Sequence, residues 1–526
     1  MTDRYVLAID LGTTGLKVGI VSTTGQIVWT ADAQLTTTWL PHGGAEQDAD
    51  EWWRLITDAA KAGIASGVVD AKDIVAVSTT GQWASTVPVD EGGIPVAPCV
   101  LWMDTRGGRH VRKRIGGKVS GYKAKAIATW IRHTGGAPST AGADPIGHML
   151  YLDIDQPDIA RNTRWYLEPV DYVGMRFTGE AIATHASMTG VWLTDNRNLD
   201  KLDYDQTLLK MAGVDATKLP PLRTTASVVG TVRDAVADDL GLQHGVQVIA
   251  GTPDLHSASV GAGTILDFQT HMAISTTTWI SCPVPFKKTD PMSQIAAIPG
   301  VGPDSYLLAN NHDTSGACLQ WLRDKVIAPD DLLSGDSKRP DFGALCDLAD
   351  TVAPGAGGVI FTPWLTGERS PIDDKSARAG FHNVNIETDR AALVRAVLEG
   401  VAYNARWLHE AVEKMVKQTL DPIRVFGGGA QSDVWCQIHA DVMDRTVERL
   451  ADPMHTGLRG AALLAGIALG DVERAKARDY APVDATFTPN PATRDEYERL
   501  YSEFTGLYKL QKDMFHRLNR PQKPKQ

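Results

Sequence analysis

Short apolar stretches at residues 5–9, 17–22 and 26–30 predict a three-stranded meander, with Thr24-Gly25 turning between the last two. A helix is expected next. Asp48 can cap it with Glu51 three residues on, and Trp52, Leu55, Ile56 and Ala59 recur at helical spacing. Residues 74–78 form another apolar strand, running into Thr79-Thr80-Gly81-Gln82. The pattern restarts near residue 270: residues 271–275 are strand-like, Thr276-Thr277-Thr278 is a polar turn, and residues 279–284 are strand-like again. Residues 390–417 predict a long helix with Leu393, Val397, Val401, Asn404 and Leu408 on one face. After it, the apolar strand at 423–426 runs into Gly427-Gly428-Gly429, and Ser432 can cap a helix starting near Asp433. Two similar α/β halves facing a cleft account for this order. The basic, glycine-containing segment 109–125 reads as a solvated surface loop, and the tail from Pro521 as frayed.

Length and charge narrow the classes. A chain of 526 residues exceeds what one hydrophobic core serves, so two domains are expected, with a ligand site in the cleft between them. A net charge of -11 argues against nonspecific nucleic-acid binding while leaving room for a local basic site for an anion. The five cysteines are scattered without a C-x-x-C pair, which fits a reducing compartment and points to neither disulfides nor zinc. The N-terminus lacks the pattern of a secretory leader and no apolar run is long enough to span a bilayer, so the expectation is a cytoplasmic protein without membrane partners.

The first chemical candidate is Asp10-Leu11-Gly12-Thr13-Thr14-Gly15-Leu16-Lys17, between two strands. Its glycines allow a tight turn, Thr13 and Thr14 offer hydroxyl and N–H donors, and Lys17 brings positive charge, a set suited to a phosphate chain. Asp10, at a strand end, could hold Mg²⁺, an ion that keeps most of its waters and uses few carboxylates. An ordinary hairpin is the alternative. Other nucleotide motifs are absent or incomplete: Gly117-Lys118 is followed by Val119 rather than Ser or Thr, Asp341-Phe342-Gly343 has no H-R-D partner, and Gly427-Gly428-Gly429 lacks the full dinucleotide fingerprint.

Five pieces in order make a family recognisable. The turn from Asp10 to Lys17, Gly251-Thr252-Pro253-Asp254, Gly316-Ala317-Cys318-Leu319-Gln320-Trp321, Gly367-Glu368-Arg369-Ser370-Pro371 and Gly427-Gly428-Gly429-Ala430 together resemble the FGGY carbohydrate kinases, and xylulokinases in spacing. The resemblance implies an α/β fold of two ribonuclease H-like domains of the actin and hexokinase type, facing an interdomain cleft. On that pattern residues 1–264 form the sugar-binding domain with the first phosphate loop, residues 265–480 the adenosine-binding domain, and residues 481–526 a C-terminal helical extension and tail. It implies ATP and Mg as cofactors, a small sugar or polyol as substrate, and a homodimer as one possible assembly. Thr13, Thr14 and Lys17 would meet the phosphates, with Asp10 near the metal. Thr276, Gly316 and Gln320 would line the nucleotide's other side, and Gly428, Gly429 and Ser432 would lie against adenosine. Asp254 falls on the catalytic aspartate, a D-xylulose-like ketose being the leading substrate.

Each assignment has a structural alternative. Asp254 could cap the helix expected over 255–260, Gly428 could serve only a strand-to-helix turn, and Gln320 could be a surface helix residue. Glu368 and Arg369 read as a buried ion pair fixing their loop. In Leu101-Trp102-Met103-Asp104-Thr105-Arg106 the resemblance sets Trp102 and Asp104 beside the sugar, whereas Asp104 could equally pair with Arg106. Two departures stand out. After Gln82 the chain has Trp83-Ala84 where xylulokinases carry Met-His and glycerol kinases Arg-Glu; Trp83 and Ala84 are therefore the expected determinants of substrate choice, with Ala84 leaving room. Ser275-Thr276-Thr277-Thr278 lacks the flanking glycines of the family's second phosphate loop. A noncatalytic actin-like ATPase scaffold and a nucleotide-binding dehydrogenase are the readings from other classes; the first has no use for an aspartate joined to a sugar-pocket stretch, and the second lacks its fingerprint.

Overall fold

The computed structural model describes residues 4–331 and 339–519; the tail expected to fray from Pro521 lies outside them. The opening meander is β1 (Tyr5–Leu11), β2 (Gly15–Ser22) and β3 (Ile27–Gln34), followed by α1 (Ala49–Ala65) and β4 (Ile74–Gly81). Asp48 caps α1 by accepting from the Asp50 N–H at 2.9 Å. Between β4 and the rest of the first sheet lies a long insertion. It includes α2 (Gly108–Ile115) and has a core of its own, with Val111, Ile115, Trp130, Ile146 and Leu208 buried together. The basic segment expected as a loop is therefore partly helix. Its arginines and lysine face out while Val111 and Ile115, four residues apart, turn inward.

The chain returns to the sheet with β5 (Val228–Thr231) and β6 (Gln247–Pro253), which leads into α3 (Asp254–Gly261). The sheet order is β5-β6-β4-β1-β2-β3. β1 pairs antiparallel with β2 and parallel with β4, and β4 pairs parallel with β6.

The second half repeats this plan. β7 (Thr270–Ile274) and β8 (Thr278–Ser281) form the hairpin, and α4 (Gly316–Leu322) and α5 (Arg390–Val416) lead to β9 (Ile423–Phe426). Then come α6 (Asp433–Met443), β10 (Val447–Leu450), α7 (Thr456–Leu469), β11 (Val483–Phe487) and α8 (Arg494–Leu518). The order is β8-β7-β9-β10-β11, with the same succession of antiparallel, parallel, parallel and antiparallel pairings as β2-β1-β4-β6-β5. The apolar run at 279–284 does not stay in one strand: Pro283, which has no N–H for the ladder, starts a separate pair with Leu307. α5 is buried nearly all round, which suits its position inside the second core. Residues 481–519 join the second half: β11 completes the sheet and α8 buries Tyr497, Phe504 and Phe515 in the same core, with Phe504 5.7 Å from Trp364 between ring centres.

Strand alternation decides which face carries the site. Leu7, Ile9 and Leu11 face α1 and pack with Trp52 and Ile56, while Val6 and Ala8 face the other way, against Leu458, Ala461, Ala462 and Ala465 of α7. So α7, which follows the second sheet, covers the first. Conversely α3, which follows the first sheet, packs Ala258 and Ala262 on Ala273, Phe426 and Leu450 of the second. The two helices touch where Gly460 meets Ser257 and Gly261 meets Thr456. All five cysteines are free and buried, and no helix among the described residues is long and apolar enough to cross a membrane.

Candidate active site at the ends of the paired sheets

Asp10 is one residue from the end of β1, on the parity that faces α7. The approach is so close that a Cβ on Gly457, in the first turn of α7, would lie 2.6 Å from Asp10 Oδ2. Lys17 is its cross-strand partner on β2, with Nζ 3.7 Å from Asp10 Oδ2, and Asp32 lies across from Lys17 on β3. Burial raises the Asp10 pKa, a shift opposed by the charge and hydrogen bond of Lys17.

Asp254 is delivered by β6 and is the first residue of α3; Pro253 occupies the capping position. Among the described residues, its Oδ1 accepts only the N–H of the next residue, Leu255, at 2.7 Å. Burial, and next the negative charge of Asp10, raise the Asp254 pKa to about 7. Two carboxylates from the two strand ends thus sense one another, with Lys17 beside one of them.

The Thr13 turn is tied to Gln82, Trp102 and Gln47 by side-chain hydrogen bonds. Gly12 N–H closes the turn on Gly15 O at 2.9 Å. The Thr13 hydroxyl donates to Gln82 Oε1 at 3.4 Å and accepts from the Trp102 indole N–H at 3.2 Å. Gln82 Nε2 donates to Gln47 Oε1 at 3.1 Å, and Gln47 Nε2 donates back to Thr13 O at 2.7 Å. Gln82 is buried with its amide turned toward this ring, whereas Trp102 is 40% exposed. Thr14 is exposed at the tip of the turn. Gly81 is what lets Gln82 reach this place, because a Cβ there would lie 2.2 Å from the Leu11 carbonyl oxygen.

Asp104 is fully buried, and its carboxylate accepts from Ala45 N–H, Arg106 N–H and Arg106 Nε–H, each at 2.9 Å. The expected pairing with Arg106 is present, Arg106 Nη2 also lying 2.7 Å from Asp104 Oδ2. Ala84 adopts φ +58 and lies against Gly190, where an added Cβ would be 2.8 Å from the Ala84 Cβ and 3.2 Å from Trp83 Cε3. Ala84 is thus close to the Gly190 backbone on one side while remaining half-buried. Glu368 is buried as expected, but not against the Arg369 side chain. It accepts from Asn404 Nδ2 at 2.6 Å and lies 3.1 Å from His312 Nδ1, while the half-exposed Arg369 faces Asp313.

In the second sheet the turn after β7 meets the starts of two other segments. Gly316 N–H donates to Ser275 O at 2.8 Å, and Ser315 N–H to Thr276 O at 2.9 Å. A Cβ on Gly316 would sit 2.6 Å from Ser275 O, and one on Gly427 2.5 Å from Ser275 Oγ. The glycines missing from the Ser275–Thr278 turn are thus supplied by its neighbours. Thr276 and Gly428 are exposed, Gly429 is half-buried against Ile274, and Gln320 is exposed on α4. Ser432 caps α6 by accepting the Trp435 N–H at 3.2 Å.

Two sheets with the same pairing pattern, crossed helices between them and a carboxylate at the end of a strand in the first define a protein of the actin and hexokinase type. Models of the FGGY family of carbohydrate kinases match this chain over residues 5–261 for the N-terminal domain and 270–469 for the C-terminal domain, and the chain belongs to that family. It is a carbohydrate kinase. It is 27% identical to a xylulose kinase from Staphylococcus epidermidis, over 98% of each chain, and 24% identical to a gluconokinase from Bacillus subtilis, over 97% of each. A gluconate kinase structure from Lactobacillus acidophilus superposes with a TM-score of 0.83 at 23% identity, covering 98% of this chain and 100% of that one.

Gln47, Gly457 and Gly190 escaped the reading of the sequence. Gln47 precedes the Asp48 cap and looks like the lead-in to a helix, while the partners that give Gly457 and Gly190 meaning are far away in the chain.

Proposed function

We infer that this kinase transfers the γ-phosphoryl group of ATP to a hydroxyl of a small ketose or polyol, with D-xylulose as the leading substrate and Asp254 as the general base. The observation that carries the reading is Asp254 itself: it heads α3 at a strand end, has one local hydrogen bond, and its pKa of about 7 suits a group that must take up a proton near neutrality. Relatives named for xylulose, gluconate and glycerol support a small polyhydroxylated substrate.

Thr13, Thr14 and Lys17 would receive the phosphates on the first sheet. Thr276, Gly316 and Gln320 would flank the nucleotide on the second, and Gly428, Gly429 and Ser432 would border adenosine. Trp83 and Trp102 offer apolar faces to the sugar, with Ala84 setting the path of the loop and Gln82 bracing it from behind. Asp10 suits magnesium: its carboxylate senses a second acid, and the missing Cβ of Gly457 leaves room on the side of Oδ2 that Lys17 does not occupy. When bound, the ion supplies charge neutralisation on phosphate oxygens.

The test is ADP release by wild type and Asp254→Asn across pentuloses, hexuloses, aldonates and polyols. The wild type is expected to respond to one group of sugars, and the variant to lose most of that response while still binding ATP. A wild type indifferent to every sugar, or an Asp254→Asn enzyme that keeps its sugar-stimulated rate, would defeat the reading.

A further inference from the structure

The ring of Thr13, Gln82 and Gln47 connects the turn proposed to hold phosphate with the segment proposed to meet sugar. Gln47 lies at the end of the short strand Gly44–Gln47, immediately before the Asp48 cap, and its backbone pairs with Cys99. It is 1% exposed and so held on all sides. Its Nε2 donates to Thr13 O at 2.7 Å and to Thr37 Oγ1 at 3.0 Å, while Oε1 accepts from Gln82 Nε2 at 3.1 Å. A carboxamide suits this position at any pH, since one end must donate and the other accept. Loss of either function leaves a buried polar group unpaired.

A second route enters the same turn. Trp102, the exposed member, donates to the Thr13 hydroxyl, and its backbone N–H donates to Ser85 Oγ at 3.0 Å, directly after Trp83-Ala84. Movement of Trp102 or of the Gln82 loop is therefore conveyed to Thr13 from both sides, against a carbonyl that Gln47 anchors.

We propose that Gln47 is a positioning residue that couples occupation of the sugar pocket to the placement of the phosphate turn, so that ATP is spent on sugar rather than water. The inference rests on the kinase reading above. In the productive reaction the bond between the γ-phosphorus and the bridging oxygen of ADP breaks, a bond to the sugar oxygen forms, and the hydroxyl proton passes to Asp254. With water as acceptor the same cleavage yields ADP and inorganic phosphate. A sugar seated against Trp102 and the Gln82 loop would steady Thr13 further through this ring, and so favour the first outcome by holding the phosphate in line.

The experiment compares wild type, Gln47→Glu and Gln47→Met, with Thr37→Val as control. Each is assayed for ADP release with and without the best sugar of the panel, and for affinity toward a nonhydrolysable ATP analogue with and without that sugar. Gln47→Glu keeps the volume and the acceptor, and with its carboxylate ionised has no donor for Thr13 O; assayed at about pH 9 as well as about pH 7, it tests the anchor if Gln47→Met fails to fold. In wild type, sugar should tighten analogue binding by about fivefold or more. In both Gln47 variants that factor should fall toward one and the ratio of sugar-dependent to basal ADP release should drop about tenfold, with the sugar KM within about threefold of wild type. Thr37→Val should keep the coupling. A folded Gln47→Glu enzyme that retains both the affinity factor and the release ratio overturns the inference alone. Absence of sugar-dependent release in wild type overturns the kinase reading, and this inference with it.

Discussion

Gly460 of α7 crosses α3 at Ser257 so closely that a Cβ on Gly460 would lie 1.8 Å from the Ser257 carbonyl oxygen. Alanine is the better helix former by nearly 1 kcal/mol, yet here the clash outweighs that preference because the obstacle is backbone and cannot swing aside. Gly460→Ala is expected to destabilise the protein by about 1–3 kcal/mol, read as a lowered midpoint in urea unfolding. An unchanged or raised midpoint would mean that the two helices part easily.

The raised pKa of Asp254 has consequences for rate and for stability. A base must be ionised, so the sugar-dependent rate should fall as pH drops below about 7. The stability effect runs the other way. The folded pKa lies above the unfolded value, so stability is full at pH below about 4 and is lost as pH rises toward 7. Asp254→Asn removes the ionisation, and its melting temperature should exceed that of wild type at pH 8, with the gap closing toward pH 4. The rate should drop by about 10²- to 10⁴-fold at the same time. Melting curves at pH 4 and pH 8 that show the same difference would take Asp254 out of its buried setting.

Lys17 already has a partner in Asp10, so its removal acts on two fronts. Lys17→Ala takes away the cation beside the Thr13 turn and also the group that opposes the rise in the Asp10 pKa. Because part of its charge is spent within the protein, ATP affinity should weaken only by roughly three- to tenfold. Isothermal titration decides this, and wild-type affinity in Lys17→Ala would place the phosphates elsewhere.

Ala84, half-buried, stands at φ +58 with Gly190 close to its side chain, so a larger residue must press on that backbone or turn outward. Ala84→His should therefore destabilise by about 2 kcal/mol or more instead of cleanly changing the sugar preference. A stable Ala84→His protein with a reordered sugar panel would show that the loop can turn outward.

Much of this architecture could be read ahead because its signals are local. The apolar stretch over residues 5–9, the Asp48 cap and the strand-turn-helix around Gly427 depend on neighbours within a few residues. Segment 109–125 was misread because four basic side chains hid Val111 and Ile115, whose partners lie in the insertion core. Gln47 was missed for the opposite reason: its own surroundings announce a helix start, and its function depends on Thr13 and Gln82, both more than thirty residues away. The Ser275–Thr278 turn shows the limit most clearly. Its sequence looks too bulky for a close approach, and only the placement of Gly316 and Gly427 explains how the approach is made.

The exchange of helices between the two sheets bears on how the chain could be divided. Cut in the connection between α3 and β7, the first fragment would carry α3 with the apolar side meant for Ala273 and Phe426, and the second would carry α7 with the side meant for Val6 and Ala8. Each piece alone is expected to expose an apolar helix face that the other piece covers. Co-expressed, the fragments should find one another and restore activity, whereas separately they should aggregate: the boundary is a place to nick the polypeptide, though not one at which either half becomes an independent module.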